Sequence, residues 1–471
     1  MHPLGRRLLT HAGQIGLPAF VMRASDVQIL AAPGDFYKTL QQRIATARQR
    51  ITLSALYLGA AERDLVAALD TALARNQQLR VRVLLDYFRG TRQTKGGSSV
   101  DLLLPLKQAY PDRVEFSLYR TPDMGRMLGQ MAPPRWNETV GVQHTKVAVF
   151  DEDVLLTGAN LSQDYFTNRQ DRYVLFQRSA LSSYFDEMVQ RLGMLSYRVG
   201  EMGPVSPAAD ARGPDPEDGA PFRRHARTLL DTFTADWRAK AINSTNMPPV
   251  NMADGAADHA LVIPALQMAP LHVRQDEAVM HGVLKDLCTE THQWRAHLAS
   301  GYFNLHDDIR ARILRTNADW EMIVASPEAN GFFKAQDVSR HIPAAYSLIE
   351  RDFMRDAKRQ GHASRFRMLE YMRSGWTFHA KGIWVEPQND SIGPMLATIG
   401  SPNFGYRSFQ RDIEAQAWVF SENTMLRQRW TAELDMLRKH LRDVPLEELE
   451  GRRQNSPSWV PLATKVIRRM M

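Results

Sequence analysis

The sequence predicts an α/β protein of two similar lobes, each a mixed sheet flanked by helices, related by a pseudo-twofold axis with the active site at their interface. A chain of 471 residues is too long for one ordinary hydrophobic core and fits two domains. Strand-like and helix-like segments alternate in both halves. A short polar motif occurs once in each half, and a twofold arrangement of the lobes brings two such copies together.

The two halves repeat one order of elements. In the first half, the pattern of apolar residues predicts a strand at 27–30, a helix at 36–47, a strand at 51–58, a helix at 62–75 and a strand at 80–86. The second half repeats this order with a strand at 260–263, a helix at 276–288, a strand at 297–305, a helix at 307–314 and a strand at 320–325.

Composition suggests boundaries around these lobes. The first 25 residues contain Arg6, Arg7 and Arg23 but no Asp or Glu, which is typical of an organelle-targeting remnant and equally of a disordered leader. The stretch at 203–221 is rich in Pro, Gly and Asp and has no apolar periodicity, which predicts a linker. We therefore expect a basic leader at 1–25, a first lobe at 26–200, a linker at 201–222, a second lobe at 223–420 and a C-terminal helical segment at 421–471.

The repeated motif is a His-x-Lys run, at His144–Asp151 and again at His379–Glu386. On a strand, alternation places the His and the Lys on the same face. A turn of small residues with an Asn follows each run, at 158–160 and 400–403. A carboxylate lies eleven residues after each Asn, at Asp171 (171 − 160) and Glu414 (414 − 403). Two copies with matching Asn and acid are hard to obtain by chance.

This set of residues suits phosphoryl transfer. Imidazole can attack phosphorus or move a proton near neutral pH, so two copies supply a nucleophile and an acid. We predict His144 as the nucleophile that forms a phospho-His and His379 as the general acid. Cationic and amide groups stabilise phosphate oxygens, and carboxylates orient histidines. We assign phosphate binding to Lys146, Lys381, Asn160, Ser401 and Asn403, and histidine orientation to Asp171 and Glu414.

No metal or other cofactor is predicted for this chemistry. The chain has one Cys, Cys288, and lacks a His-Glu-x-x-His motif or an Asp-rich loop. A single cysteine also excludes an internal disulfide and suits a reducing compartment.

The paired runs resemble the catalytic motifs of the phospholipase D superfamily, His-x-Lys-x-x-x-x-Asp followed by Gly-Ser-x-Asn. Longer strings are similar to the eukaryotic mitochondrial phosphatidylglycerophosphate synthases, at 51–59, 84–92, 158–162, 165–172 and 399–408. The resemblance implies two phospholipase D-like lobes and transfer of a phosphatidyl group from CDP-diacylglycerol to sn-glycerol 3-phosphate, giving phosphatidylglycerophosphate and CMP. It also implies a peripheral enzyme on the matrix side of the inner mitochondrial membrane.

The sequence departs from the superfamily pattern in each copy. In the first, Asn160 comes one place early, which we interpret as a shortened turn. In the second, Glu386 replaces Asp, and thirteen residues (387–399) precede the Gly instead of six (152–157). We expect a looser hairpin there with 389–390 at its tip, and assign Glu386 no catalytic role. Asp151 belongs to the catalytic motif, but we expect it to anchor its hairpin through hydrogen bonds and an ion pair.

Four arginines are candidate substrate ligands. Arg89 and Arg92 follow a predicted strand, at the loop where α/β proteins place ligands. They would clamp the pyrophosphate of a CDP-lipid or the phosphate of glycerol 3-phosphate, or else be solvated loop residues. Arg169 and Arg407 would act similarly or pair with the two carboxylates of the motif.

The charge balance indicates a polyanionic partner. Lys and Arg number 59 against 52 Asp and Glu, a net charge of +7, which does not distinguish nucleic acid, anionic lipid and nucleotide-lipid. No apolar run approaches the length of a membrane-spanning helix. Residues 458–471 form a basic amphipathic pattern that suits an anionic membrane surface or a helix docked on the protein itself. Residues 124–136 suit a loop entering lipid or a small hydrophobic cluster.

Two alternatives remain open from the sequence. A phospholipase D-type hydrolase or a nucleic-acid phosphodiesterase would use the same intermediate with water. A catalytically silent lipid-binding scaffold is favoured only by Glu386. The expected partners are CDP-diacylglycerol, glycerol 3-phosphate and an anionic membrane surface, and no nucleic acid is expected.

Overall fold

The computed structural model describes residues 1–124, 140–200, 203–243, 258–289, 293–333 and 340–454, with 459–461, 464 and 468 beyond them. The strands are β1 (Phe20–Arg23), β2 (Val27–Leu30), β3 (Arg50–Ser54), β4 (Arg80–Asp86), β5 (Val114–Tyr119), β6 (Val147–Phe150), β7 (Asp153–Thr157), β8 (Arg169–Gln170), β9 (Tyr173–Phe176), β10 (Tyr197–Gly200), β11 (Gly203–Val205), β12 (His259–Met268), β13 (Val273–Arg274), β14 (Trp294–Ser300), β15 (Asp319–Ala325), β16 (Phe366–Tyr371), β17 (Thr377–Phe378), β18 (Lys381–Pro387), β19 (Leu396–Gly400), β20 (Glu414–Ser421) and β21 (Leu441–Asp443).

The α-helices of the described residues flank these strands. They are α1 (Pro3–Gln14), α2 (Pro33–Thr46), α3 (Arg63–Arg75), α4 (Tyr87–Thr91), α5 (Ser99–Ala109), α6 (Gln163–Thr167), α7 (Ala180–Met194), α8 (Ala220–Asn243), α9 (Gln275–Asp286), α10 (Asp307–Arg315), α11 (Ile342–Arg359), α12 (Tyr406–Gln410), α13 (Thr424–Arg438) and α14 (Leu446–Gln454).

Two large mixed sheets confirm the predicted α/β duplication. In the first sheet the order is β2-β9-β7-β6-β3-β4-β5-β10, continued by β11. The second has the corresponding order β12-β20-β19-β18-β14-β15-β16-β21, with β1 and β13 beside β12. Each His-x-Lys run therefore leads into an interior strand, β6 in one sheet and β18 in the other. The predicted strands at 51–58 and 297–305 end early, at Ser54 and Ser300.

Three hydrophobic cores hold the layers together. Successive strand residues point to opposite faces, so each sheet has two apolar faces to cover. One face of the first sheet packs against α2, α3 and α5, and one face of the second packs against α1, α9, α10 and α11. The remaining faces share a central core with α7, α8 and α13, whose large side chains include Tyr184, Phe233 and Trp430. The lobes are thus joined by a continuous apolar core.

The chain boundaries differ from the sequence-based division. Residues 1–25 are part of the second lobe, because α1 buries Leu4, Leu8 and Ala12 against its helices and β1 pairs with β12. Apolar residues at every fourth position produced that buried face, which the basic composition concealed. The predicted linker contributes β11, which pairs with β10. The second lobe continues past residue 420, since α13 lies in the shared core and β21 pairs with β16.

The described residues of the C-terminal amphipathic pattern contact the protein. Val460 and Thr464 are buried, while Trp459 is 46% exposed. The Arg468 guanidinium lies 3.0 Å from Asp307 and donates to the side-chain oxygen of Asn304. These contacts favour a docked helix at these positions over basic residues that face lipid. Of the predicted lipid-contacting stretch 124–136, Met124 is buried and the rest lies outside the described residues.

Candidate active site

Two short parallel pairings across the lobes build the site. Gln143, just before His144, pairs with Ile413, just before Glu414. In the same way, β8 before Asp171 pairs with β17 before the second histidine. The backbone N–H of each histidine donates to the other lobe, His144 to Ile413 O and His379 to Gln170 O, both at 2.8 Å. The pseudo-twofold relation of the lobes therefore extends to the backbone hydrogen bonds that position the two candidate catalytic histidines.

Each histidine is held by the carboxylate of the opposite lobe. His144 Nδ1 lies 2.9 and 3.0 Å from the two oxygens of Glu414. His379 Nδ1 lies 2.6 Å from Oδ2 of Asp171. A carboxylate on Nδ1 fixes the ring and leaves Nε2 for chemistry. The four residues predicted for these roles are thus brought together, with the partners exchanged between lobes, so neither lobe alone contains a complete His–carboxylate pair.

The two lysines lie beside the histidines that precede them. Lys146 Nζ donates to His144 O at 2.8 Å, and Lys381 Nζ donates to His379 O at 2.7 Å. Lys381 Nζ also lies 3.3 Å from Asp171 Oδ2. Burial lowers the pKa of Lys146 to about 7, and burial also lowers the pKa of Lys381. A buried ammonium group interacts with phosphate oxygens far more strongly than a solvated one.

Burial favours the neutral form of both imidazoles. It lowers the pKa of His144 well below 6.5, and Lys146 adds to the effect. Burial, together with Lys381, does the same to the pKa of His379. A neutral ring that donates Nδ1–H to a carboxylate presents a lone pair at Nε2. The His144 ring therefore presents the Nε2 lone pair that a nucleophile requires. His379 has to take up a proton before it acts as an acid, and the Asp171 carboxylate stabilises that protonated form.

The two carboxylates have different electrostatic environments. Burial raises the pKa of Glu414 to about 7, although Lys146 and the neighbouring serine hydroxyls oppose it. Burial acts in the same direction on Asp171, but Lys381 and His379 outweigh it and lower the pKa of that carboxyl. Asp171 is thus firmly ionised, which favours a protonated His379 more than Glu414 favours a protonated His144.

The reactive nitrogens also differ. His379 Nε2 lies 3.3 Å from the hydroxyl oxygen of Tyr165, and the ring of Tyr302 meets the same imidazole edge-on at 5.5 Å. Among the described residues, no group hydrogen-bonds to Nε2 of His144. An open Nε2 suits the nucleophile, and an Nε2 beside a hydroxyl suits the residue that holds and releases a proton.

The small-residue turns place amide and hydroxyl groups beside this cluster. Asn160 donates to the Tyr165 hydroxyl at 3.3 Å, while Ser401 donates to the backbone oxygen of Ala415. Asn403 Oδ1 is buried without a hydrogen-bond partner among the described residues. A Cβ on Gly158 would lie 2.5 Å from Asp171 Oδ1 and 2.6 Å from Lys381 Nζ, so only glycine permits this close approach.

The four candidate arginines lie in different surroundings: two follow β4, and two form ion pairs with aspartates. Arg89 stacks on the ring of Tyr57 at 4.2 Å, and Arg92 ends the short helix that follows β4. Arg169 and Arg407 do not pair with Asp171 and Glu414, which was one of the predicted options. Their ion-pair partners are instead Asp164 and Asp412. The motif carboxylates are already occupied by the histidines, which explains why other acids neutralise these arginines.

The acids that follow the His-x-Lys strands lie outside the histidine cluster. Asp151 has a positive φ of 52°, and its carboxylate accepts the backbone N–H groups of residues 48, 49 and 50. Arg50 donates to the Asp151 backbone oxygen, while its ion pair is with Asp186, so the expected ion pair to Asp151 is replaced. The contacts of Asp151 anchor the hairpin, as expected, and give it no place among the reacting groups.

Glu386 also forms ion pairs away from the histidine cluster. It lies 3.1 Å from Arg295 and 3.4 Å from His297, a histidine that is fully buried between two carboxylates. The following hairpin is long, as predicted, running from the end of β18 at Pro387 to the start of β19 at Leu396. Asp390 at its expected tip pairs with Arg427.

Sequence reasoning missed three residues of the site. Tyr165 contacts His379, and Ser408 donates to Glu414 at 2.9 Å. Both lie five positions after the motif Asn (165 − 160; 408 − 403), a matched offset that would have identified them. The third, Arg172, is fully buried and binds both oxygens of Glu433 in the other lobe at 2.9 and 3.0 Å. No local pattern distinguishes Arg172 from a surface arginine.

Within the described ranges, no cluster of three or more His, Cys, Asp or Glu side chains is arranged to hold a metal ion. The same part of the chain has no helix that is long and apolar enough to cross a membrane.

The two sheets and the His-x-Lys site, in which each histidine is held by the carboxylate of the opposite lobe, define a phospholipase D-like protein. Residues 40–192 match the family model described as "Cardiolipin synthase, PLD-like domain". The chain also aligns along its whole length with the crystal structure of a phosphatidylserine synthase from Haemophilus influenzae, with a TM-score of 0.72, 18% identity and 100% of both chains covered. That likeness concerns the fold.

Similarity to curated relatives shows which family of phospholipase D-like proteins the chain belongs to. Over 448 residues the chain is 36% identical to the "Probable CDP-diacylglycerol--glycerol-3-phosphate 3-phosphatidyltransferase" of Dictyostelium discoideum, covering 93% of this chain and 76% of the relative. Over 479 residues it is 36% identical to the mitochondrial protein of that name from Gallus gallus, covering 96% and 85%. The chain belongs to the CDP-diacylglycerol–glycerol-3-phosphate 3-phosphatidyltransferase family.

Proposed function

We propose that this enzyme transfers the phosphatidyl group of CDP-diacylglycerol to sn-glycerol 3-phosphate, giving phosphatidylglycerophosphate and CMP. The observation that carries the proposal is the crossed pair of histidines with unlike Nε2 environments, which supplies a nucleophile and an acid in one buried cluster. The two substrates are those in the names of its relatives.

In the first step, Nε2 of His144 attacks the phosphatidyl phosphorus of CDP-diacylglycerol. The bond from this phosphorus to the CMP oxygen breaks, and His379 gives its Nε2 proton to the departing oxygen. The Lys146 and Lys381 ammonium groups stabilise the charge on the non-bridging oxygens. Glu414 accepts the Nδ1–H of His144 and stabilises the positive charge that develops on this ring as the N–P bond forms.

In the second step, the C1 hydroxyl of glycerol 3-phosphate attacks the phosphorus of the phospho-His. His379, now unprotonated, accepts the hydroxyl proton, and the bond between phosphorus and His144 Nε2 breaks. Asp171 orients the ring for both transfers and favours its protonated form. Both histidines return to their starting states, so the cycle needs no further reactant.

The test is to trap the intermediate. Acid-labile, base-stable label from CDP-diacylglycerol should map to His144, and His144→Asn should abolish it. Label on His379 would reverse the assigned roles, and no label under any quench would contradict a covalent intermediate. Steady CMP release without glycerol 3-phosphate would identify a hydrolase instead.

We also propose that the enzyme acts as a peripheral protein on the matrix side of the inner mitochondrial membrane. Support comes from the word "mitochondrial" in the names of relatives, the lipid substrate and the net charge of +7. Changing Lys465 and Arg469 to Glu, with Arg468 left in its ion pair with Asp307, should release the protein from cardiolipin-containing vesicles while sparing turnover of detergent-dispersed substrate. Loss of folding or of detergent activity would show that the segment is structural.

A further inference from the structure

The duplicated turns carry opposite charges at equivalent positions. Four residues after the motif Asn, the first half has Asp164 and the second has Arg407 (164 − 160; 407 − 403). Nine residues after it, the first half has Arg169 and the second has Asp412 (169 − 160; 412 − 403). Each half joins its two residues in an ion pair, at 3.5 Å in the first and 3.1 Å in the second. The duplication has thus kept the pair and exchanged its charges.

The two ion pairs differ in how completely they neutralise the arginine. Asp412 is 4% exposed and also accepts the backbone N–H of Val142, so the charge of Arg407 is balanced inside the protein. Asp164 is 64% exposed, and its oxygen is beyond hydrogen-bond distance of Arg169. Water screens an exposed carboxylate, so Asp164 offsets little of the charge of Arg169. Of the two arginines, Arg169 is therefore the less compensated one within the described residues, and it lies on the His379 side.

Arg169 is surrounded by groups that suit a phosphate. Its guanidinium lies 4.7 Å from the ring centre of Tyr165, whose hydroxyl contacts His379 Nε2. Its Nε donates to Thr377 at 3.0 Å, which fixes the side chain. A Cβ on Gly331 would lie 2.9 Å from the Tyr302 hydroxyl and 3.6 Å from Nη2 of Arg169, so these two polar groups lie against the same glycine.

Resting on the proposed function, we propose that Arg169, Tyr165 and Tyr302 bind the phosphate dianion of the acceptor. Five bonds separate the C1 hydroxyl oxygen of glycerol 3-phosphate from its phosphorus, so an anchored phosphate places the hydroxyl beside the His379 Nε2 that must deprotonate it. A guanidinium and two phenolic hydroxyls match the donors that a phosphate dianion accepts. Glycerol and water lack this anchor, so the site selects the phosphorylated acceptor.

The experiment compares both acceptors and both reaction steps in full-length protein. Arg169→Gln should raise KM for glycerol 3-phosphate on the order of 10- to 100-fold, the effect of losing a charged hydrogen bond. It should leave the initial burst of CMP release unchanged and reduce the preference for glycerol 3-phosphate over glycerol. Arg169→Lys should have an intermediate effect. Asp164→Asn should change this KM little, because the exposed carboxylate offsets little of the charge of Arg169.

Arg178→Gln is the matched control, because Arg178 is 71% exposed and pairs with Asp26 away from the site. An unchanged acceptor KM in Arg169→Gln, or an equal loss of the CMP burst, would overturn the proposal. Calorimetric measurement of glycerol 3-phosphate binding distinguishes a failure of the proposed phosphate site from a failure of the proposed function. Arg169-dependent binding without transfer by the wild type would support the site and refute the transferase, whereas transfer with no dependence on Arg169 would do the reverse.

Discussion

Removing the buried Arg172 guanidinium is expected to loosen both the joint between the lobes and the position of Lys381. This side chain of the first lobe binds Glu433 of the second and donates to the backbone oxygen of Lys381 at 3.2 Å. It also stacks on the ring of Trp384 at 3.8 Å. Every one of these partners belongs to the other lobe, so a single substitution cuts several links across the interface.

The expected loss of stability follows from the burial of Glu433. In Arg172→Met the carboxylate of Glu433, which is 2% exposed, retains only the Trp384 N–H at 3.0 Å as a hydrogen-bond donor among the described residues. Breaking a buried ion pair from one side costs about 3–5 kcal/mol, because the remaining charge is left unpaired. Replacing both partners, as in Arg172→Met with Glu433→Met, removes that charge and should recover most of the loss. Activity should not recover, since the Lys381 backbone oxygen has still lost its donor.

Urea unfolding followed by fluorescence, with linear extrapolation, measures these differences. Arg191→Met is the control, because its pair with Glu187 lies near the surface within one helix and should cost less than about 1 kcal/mol. A loss in Arg172→Met no larger than that of the control would refute the reasoning. Full activity of the double variant would refute the role in positioning Lys381.

Three further outcomes follow from the site. Asp171→Asn should lower kcat about ten thousand-fold, since the amide no longer favours the required histidine tautomer, and a loss below tenfold would contradict this. The profile of kcat/KM against pH should be bell-shaped around about 7. It should rise as Glu414 loses its proton and fall as Lys146 loses its own. A flat profile across neutral pH would contradict these two assignments. Excess chelator should leave turnover intact, because Lys146 and Lys381 provide the charge that a divalent ion would otherwise supply; activity restored only by added magnesium or manganese would refute that.

The duplication, the repeated order of strands and helices, and the paired candidate catalytic side chains could all be predicted from the sequence. These are local properties that spacing along the chain records. The histidines themselves lie just before the strands on which they were predicted, because β6 begins at Val147 and β18 at Lys381. The sequence-based division misjudged residues 1–25, because net charge gave a poor account of a helix whose stability comes from Leu4, Leu8 and Ala12.

The pairing of each carboxylate with its histidine depends on the tertiary structure. His144 takes Glu414 across 270 residues of chain, and His379 takes Asp171 across 208, because parallel pairings between the lobes place each acid beside the opposite strand. Periodicity encodes the face on which a side chain lies, whereas its partner depends on how two separate sheets pack. The burial that sets the pKa of Glu414 and Lys146 arises in the same packing, so no spacing in the sequence could have supplied it.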